Sequence, residues 1–163
     1  MKRSLLVVLL SGCAVQVPAN LQPANESLAQ VVPAKGVQIY ECRPRKEDGT
    51  LTWVFVAPQA DLFDRRGNKI GTHYAGPAWE AADGSKVVGA MKARADAPQA
   101  GAIPWLLLST KSVAGEGAFS KVSSIQRVST TGGVAPAGAC AEAGATARVP
   151  YTADYYFFKG ATQ

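Results

Sequence analysis

Val37-Gln38-Ile39-Tyr40-Glu41-Cys42 is followed by Lys46-Glu47-Asp48-Gly49 and then by Leu51-Thr52-Trp53-Val54-Phe55-Val56-Ala57. The first segment alternates with a period of two, placing Val37, Ile39 and Glu41 on one side. The second is a turn signal, and the third is an apolar run of strand length. The same strand–turn–strand grammar extends in both directions. Asp64-Arg65-Arg66-Gly67-Asn68 is a turn ahead of a strand at residues 69–74. Asp83-Gly84-Ser85 is a hairpin signal between residues 78–82 and 86–91. Residues 103–110 form another apolar run, and residues 148–159 form a last strand with aromatic side chains on both faces. Phe119, Val122, Ile125 and Val128 recur every third residue, yet Ser123, Ser124 and the flanking glycines favour a bulged strand over a helix. The expectation is an all-β domain, an antiparallel sandwich or barrel of about eight to ten short strands with few or no helices.

Composition agrees. The chain has 163 residues, 47% apolar and 18% charged, which excludes a disordered tail and allows one domain with a sizeable core. Its 16 glycines and 10 prolines make about one residue in six, above a background near one in eight, and favour turns over long helices. The net charge is +5; without Lys2 and Arg3 the 17 cations become 15 against 12 anions, or +3. That excess is too small to point to nucleic acid. No Gly-x-Gly-x-x-Gly fingerprint and no Walker-type loop is present, so nucleotide folds fall away.

The N-terminus carries an address. Met1-Lys2-Arg3 precedes an apolar run, residues 4–10, too short to cross a bilayer, and then Leu10-Ser11-Gly12-Cys13. Leucine, a small residue, glycine and cysteine form a bacterial lipobox, in which the thiol takes a diacylglycerol thioether and becomes the first residue. Ala14 follows, with no aspartate to retain the protein at the inner membrane. The expected organisation is a lipoprotein signal peptide at 1–12, lipidated Cys13 and a flexible tether at 13–27, and a single β domain at 28–163. The expected location is the outer membrane, facing the periplasm. Two cysteines then remain, Cys42 and Cys140. An even remainder in an exported protein predicts one disulfide, worth on the order of 4–5 kcal/mol in the chain-entropy model. Neither cysteine lies in a Cys-x-x-Cys motif.

The stretch Gly71–Ser85 concentrates the lone histidine, a tryptophan and two carboxylates around a Gly-Pro bend. If the bend folds Glu80 back towards His73, a general base with an orienting carboxylate results, and Asp154 is a second candidate for that orienting role. The nucleophile would be a serine such as Ser109 or Ser120, although no Gly-x-Ser-x-Gly elbow exists. A histidine buried against backbone carbonyls would remove readings centred on it. One histidine cannot build a His₃ or His₂-carboxylate zinc site, and calcium at Asp61 and Asp64 would face Arg65 and Arg66; no metal or cofactor is expected. Trp53 and Trp105 read as core, leaving Trp79 as the ring available for stacking on a glycan.

Several blocks together resemble one family: Pro23-Ala24-Asn25, residues 37–42, His73-Tyr74-Ala75-Gly76-Pro77-Ala78-Trp79-Glu80, Ile103-Pro104-Trp105-Leu106-Leu107, Ile125-Gln126-Arg127-Val128, Thr131-Gly132-Gly133 and Val149-Pro150-Tyr151-Thr152-Ala153-Asp154-Tyr155-Tyr156. In this order they are similar to the domain of unknown function 3455 family of exported proteins, from about residue 25 to residue 158 of the chain. The resemblance implies no activity, but it singles out residues 73–80, Gln126-Arg127 and residues 151–156. The expected binding residues are therefore His73, Tyr74, Trp79, Glu80, Arg127, Tyr151 and Tyr155. The leading reading is an envelope binding or interaction module for a small molecule, a glycan or an envelope protein, anchored to the lipid bilayer through acylated Cys13. A small hydrolase-like enzyme with His73 as base, and a structural lipoprotein without ligand, are the alternatives.

Overall fold

The computed structural model describes residues 15–160. The expected signal peptide and Cys13 lie outside the described residues. Eight strands follow in order: β1 (Glu26–Pro44), β2 (Leu51–Phe63), β3 (Lys69–Tyr74), β4 (Ala78–Ala81), β5 (Lys86–Ala95), β6 (Trp105–Ala114), β7 (Ser124–Gly132) and β8 (Thr146–Gly160). Each pairs antiparallel with the next, and β8 returns to β1 along a seam from Glu26↔Gly160 to Glu41↔Thr146, so the sheet closes into a barrel. The fold class is all-β as expected, and closure selects the barrel over the sandwich. Among the described residues the helical content is one 3₁₀ turn, Ala19–Leu21.

The strands are less uniform than expected. β1 has 19 residues and β8 has 15, whereas β3 has six and β4 four. Alternation sorts side chains between interior and exterior. At one end the interior is filled by Val32, Leu62, Val87, Phe119, Val122, Ile125 and Phe157, all buried, with Phe119 stacked on Phe157 at 4.5 Å. Each such burial contributes roughly 1.5–3 kcal/mol. Phe119 and Val122 belong to a turn ahead of β7, closed by Ser120 N–H donating to Gly117 O, and the strand starts only at Ser124. That change of geometry explains the three-residue spacing. A shift in the β7–β8 register between Val128 and Thr131, with Ser129 at φ 52°, supplies the irregularity within the strand.

A second apolar cluster lies on the outside. Leu21 is fully buried against Trp105, Leu107 and Val128, and Gln126 Nε2 donates to the Leu21 carbonyl. The segment expected as tether is thus partly structured. Leu21 docks because outward-facing apolar residues of β6 and β7 give it a partner, and Glu26 and Ser27 already belong to β1.

Because consecutive strands reverse direction, the β1–β2, β3–β4, β5–β6 and β7–β8 connections all sit at the opposite end. There Cys42 and Cys140, 98 residues apart, form a disulfide with Cα atoms 5.8 Å apart, as the cysteine count predicts. The bridge ties the β7–β8 connection to β1 and suits a secreted protein. Two connections also meet: Ile103 N–H donates to Gly132 O, and Tyr40 OH donates to Gly133 O at 2.6 Å.

Candidate functional site

The short β3–β4 hairpin leaves a notch in the barrel wall. β2 pairs with β3 only from Ala60 to Phe63, and β5 pairs with β4 only from Lys86 to Val88. Gly89 N–H still donates to the Pro77 carbonyl, and the remainder of each strand, residues 51–59 and 90–95, rises past the hairpin without a ladder partner on that side. Behind the notch is a partly open cavity of ≈ 320 Å³. Its lower lip is Ala75-Gly76-Pro77, whose Gly76–Pro77 peptide is cis. Phe55 and Val56 flank it on the β2 side, and Met91 on the β5 side. These three apolar side chains are 50%, 43% and 64% exposed. Val56 is the extra residue of a bulge in the β1–β2 ladder, where Ile39 pairs with Ala57 and Tyr40 with Phe55.

The floor is aromatic. His73 and Trp79 are directly opposed across the hairpin, and their rings stack at 4.4 Å with a 13° tilt. Tyr155 meets both edge-on, at 5.0 and 5.3 Å. His73 Nδ1 lies 2.8 Å from the Ala78 carbonyl. A carbonyl only accepts, so Nδ1 carries the proton and Nε2 keeps its lone pair. Burial pushes the imidazole down to about 3; the Ala78 bond opposes this and the Arg127 charge adds to it. The ring is therefore neutral near neutral pH. Burial raises the Tyr155 phenol, and the nearby Arg127 cation offsets part of that. Tyr151, whose hydroxyl is 3.3 Å from that of Tyr155, is raised first by burial and then by its neighbour.

Leu106, Leu108, Arg127 and Gln38 form the far wall. Arg127 points inward from β7, and its Nε and Nη2 donate to the Pro104 carbonyl at 3.1 and 2.8 Å. These bonds use two of five N–H groups. No carboxylate forms an ion pair with Arg127 among the described residues. Gln38 is buried, and its Nε2 has no hydrogen-bond partner among the described residues.

The structure brings His73, Trp79, Arg127 and Tyr155 to one cavity, with Tyr151 behind them. It does not bring Glu80 to His73. Glu80 pairs with Thr72, so it shares the outer face with Tyr74, whose hydroxyl donates to Glu80 Oε2 at 2.5 Å while Lys86 Nζ lies 5.1 Å from the ring centroid. The fold-back expected at the bend fails because hairpin pairing preserves the alternation of faces. Asp154 sits between inward Ala153 and Tyr155 and therefore faces outward. Neither Ser109 nor Ser120 lines the cavity, and Ser120 Oγ donates to Gly117 O. Trp79, expected to be the exposed ring, is 1% exposed and interior because it lies opposite inward-facing His73. In the 61–69 loop the Asp64 carboxylate accepts from Arg66 N, Asn68 N and Asn68 Nδ2, and Asp61 pairs with Lys69 at 2.7 Å. No cluster of three or more potential metal ligands occurs among the described residues.

Sequence reasoning missed Gln38, Phe55, Val56 and Met91. For Gln38 the available signal was that it shares a face with Tyr40 and Cys42. For the others the signal was strand length, since a short hairpin between long neighbours exposes their flanks.

No curated protein and no solved structure matches the chain. A family model matches residues 23–159, which include every strand residue except Gly160 and every lining residue named above. The chain belongs to the family described as protein of unknown function (DUF3455).

Proposed function

We propose that the protein is a binding module of the cell envelope, anchored by acylated Cys13 in the outer membrane and holding a small, mostly apolar molecule in the notch of its barrel. His73 is buried against the Ala78 carbonyl, which removes the readings centred on the imidazole, and the observation that carries this one is the cavity itself. Its volume of ≈ 320 Å³ lies at the lower end of the range for ligand pockets, its walls are largely apolar, and a few polar groups converge within it. Three exposed apolar side chains at the rim need a reason, and a ligand that covers them supplies one. The hydrolase alternative draws no comparable support: His73 is a weak base with its Nδ1 committed to Ala78, and neither Glu80 nor Asp154 faces it.

Titration with decan-1-ol, followed by tryptophan fluorescence, tests the reading, because Trp79 forms part of the floor. Saturable quenching that disappears in Ala75→Phe, where a large side chain fills the notch from an exposed position without adding a tryptophan, is the expected result. Quenching unchanged by Ala75→Phe would place the ligand elsewhere. The anchoring is tested separately by mass analysis of membrane-extracted protein, which should show a chain that begins at acylated Cys13.

A further inference from the structure

We infer that the ligand is a single-chain amphiphile with a carboxylate head, seated with the head against Arg127 and the chain leaving through the notch. The inference rests on the reading of the cavity as a binding site and goes beyond it by assigning the head group. In a ring of eight strands β7 stands across from β3, so Arg127 lies on the wall that faces an entering molecule. It is the one formally charged side chain lining the cavity among the described residues, since His73 is neutral there.

Arg127 is partly buried among largely apolar side chains, and the one backbone carbonyl that it bonds carries no counter-charge, so an anion entering the cavity meets a cation with N–H groups to spare. Its planar fork matches a carboxylate through paired N–H groups. No Asp or Glu lines the cavity to repel an anion. The other half of the ligand follows from the path outward. A chain that runs from Arg127 to the notch passes Leu106 and Leu108 and emerges between Phe55, Val56 and Met91. At about 30 Å³ per water-sized group, ≈ 320 Å³ holds roughly ten such groups. That is the scale of a medium-length fatty acid.

The test is calorimetric titration of the full chain, at about pH 8 where a carboxylic acid is ionised, with three probes: decanoate, decan-1-ol and acetate. Decanoate should bind at least about tenfold more tightly than either of the others, the increment expected of a charge-assisted pair. Arg127→Met should remove the preference for decanoate over decan-1-ol, and Arg127→Lys should keep part of it. A readout on the unmodified protein stands even if a variant fails to fold: the carboxyl carbon of bound ¹³C-decanoate should stay ionised to lower pH than that of free decanoate. Equal affinity for decanoate and decan-1-ol would overturn the anionic head and leave the apolar cavity standing. Acetate binding as tightly as decanoate would overturn the amphiphile. Failure of both ten-carbon probes would remove the inference together with the reading beneath it.

Discussion

The imidazole of His73 lies flat against the indole of Trp79, ring centres 4.4 Å apart, with its Nδ1 proton given to the carbonyl of Ala78. The arrangement makes the histidine a packing residue, and its titration reports the integrity of the floor. Its folded pKa, about 3, lies below its ordinary value of 6.5. The unfolded chain therefore binds the proton more readily between those values, and stability falls as pH drops through that window. The chain has one histidine, so the check is direct: its ring resonances should not titrate between pH 6.5 and about 5, and the urea midpoint should fall over the same range. A histidine that titrates near 6.5 in the folded protein would show the floor to be open.

Gly36 lies in β1 where the neighbouring strand comes close. A Cβ there would sit 2.1 Å from the carbonyl oxygen of Gln59 and 2.4 Å from the Cα of Ala60. Backbone cannot swing aside as a flexible side chain can. Gly36→Ala is therefore expected to cost about 1–3 kcal/mol, the range of overpacking, and more if the β1–β2 ladder parts. Urea denaturation of the two proteins measures this.

Leu21 predicts a cost in a segment that looks dispensable. Leu21→Ala should destabilise the protein by about 2–5 kcal/mol, as for other buried leucines. A loss within about 0.5 kcal/mol, the range of surface changes, would mean that the 3₁₀ turn does not hold in solution.

Paired replacement Cys42→Ser with Cys140→Ser should lower stability by about 2–5 kcal/mol and release the β7–β8 connection. Reductant should lower the urea midpoint of the parent protein, and leave that of the double variant unchanged. The connection should then exchange its amides faster than the β1–β8 seam.

Local patterns carried most of the fold. Each strand inferred from alternation and turns has a counterpart in the structure, because hairpins between sequence neighbours are encoded by residues close together. The β1–β8 seam was not legible, since Glu26 and Gly160 meet through a pairing that no local signal specifies. Glu26 and Ser27 of β1 fall within the expected tether, and residues 28–36, which contain Pro33 and Gly36, carry no strand signal comparable to that of residues 37–42. The site was legible in part. His73, Trp79, Arg127 and Tyr155 were named and do converge, but Glu80 was placed by nearness in sequence, and Asp154 lies on the face of β8 opposite Tyr155. The face of Glu80 is decided by pairing register, which sequence spacing around a bend leaves open.

The seam also has a temporal side. β1 leaves a ribosome before the other seven strands, and its partner β8 leaves after them. Fifteen residue pairs join them. Until the final strand arrives, β1 waits with one flank bare, and β7 does the same at the other end of the growing sheet. Such a barrel completes itself only after β8 is delivered, and its long-range pairing makes that step slow. Until then both bare edges are exposed to sticky edge-to-edge association. Losing a few residues from the last strand would leave that vulnerability permanent.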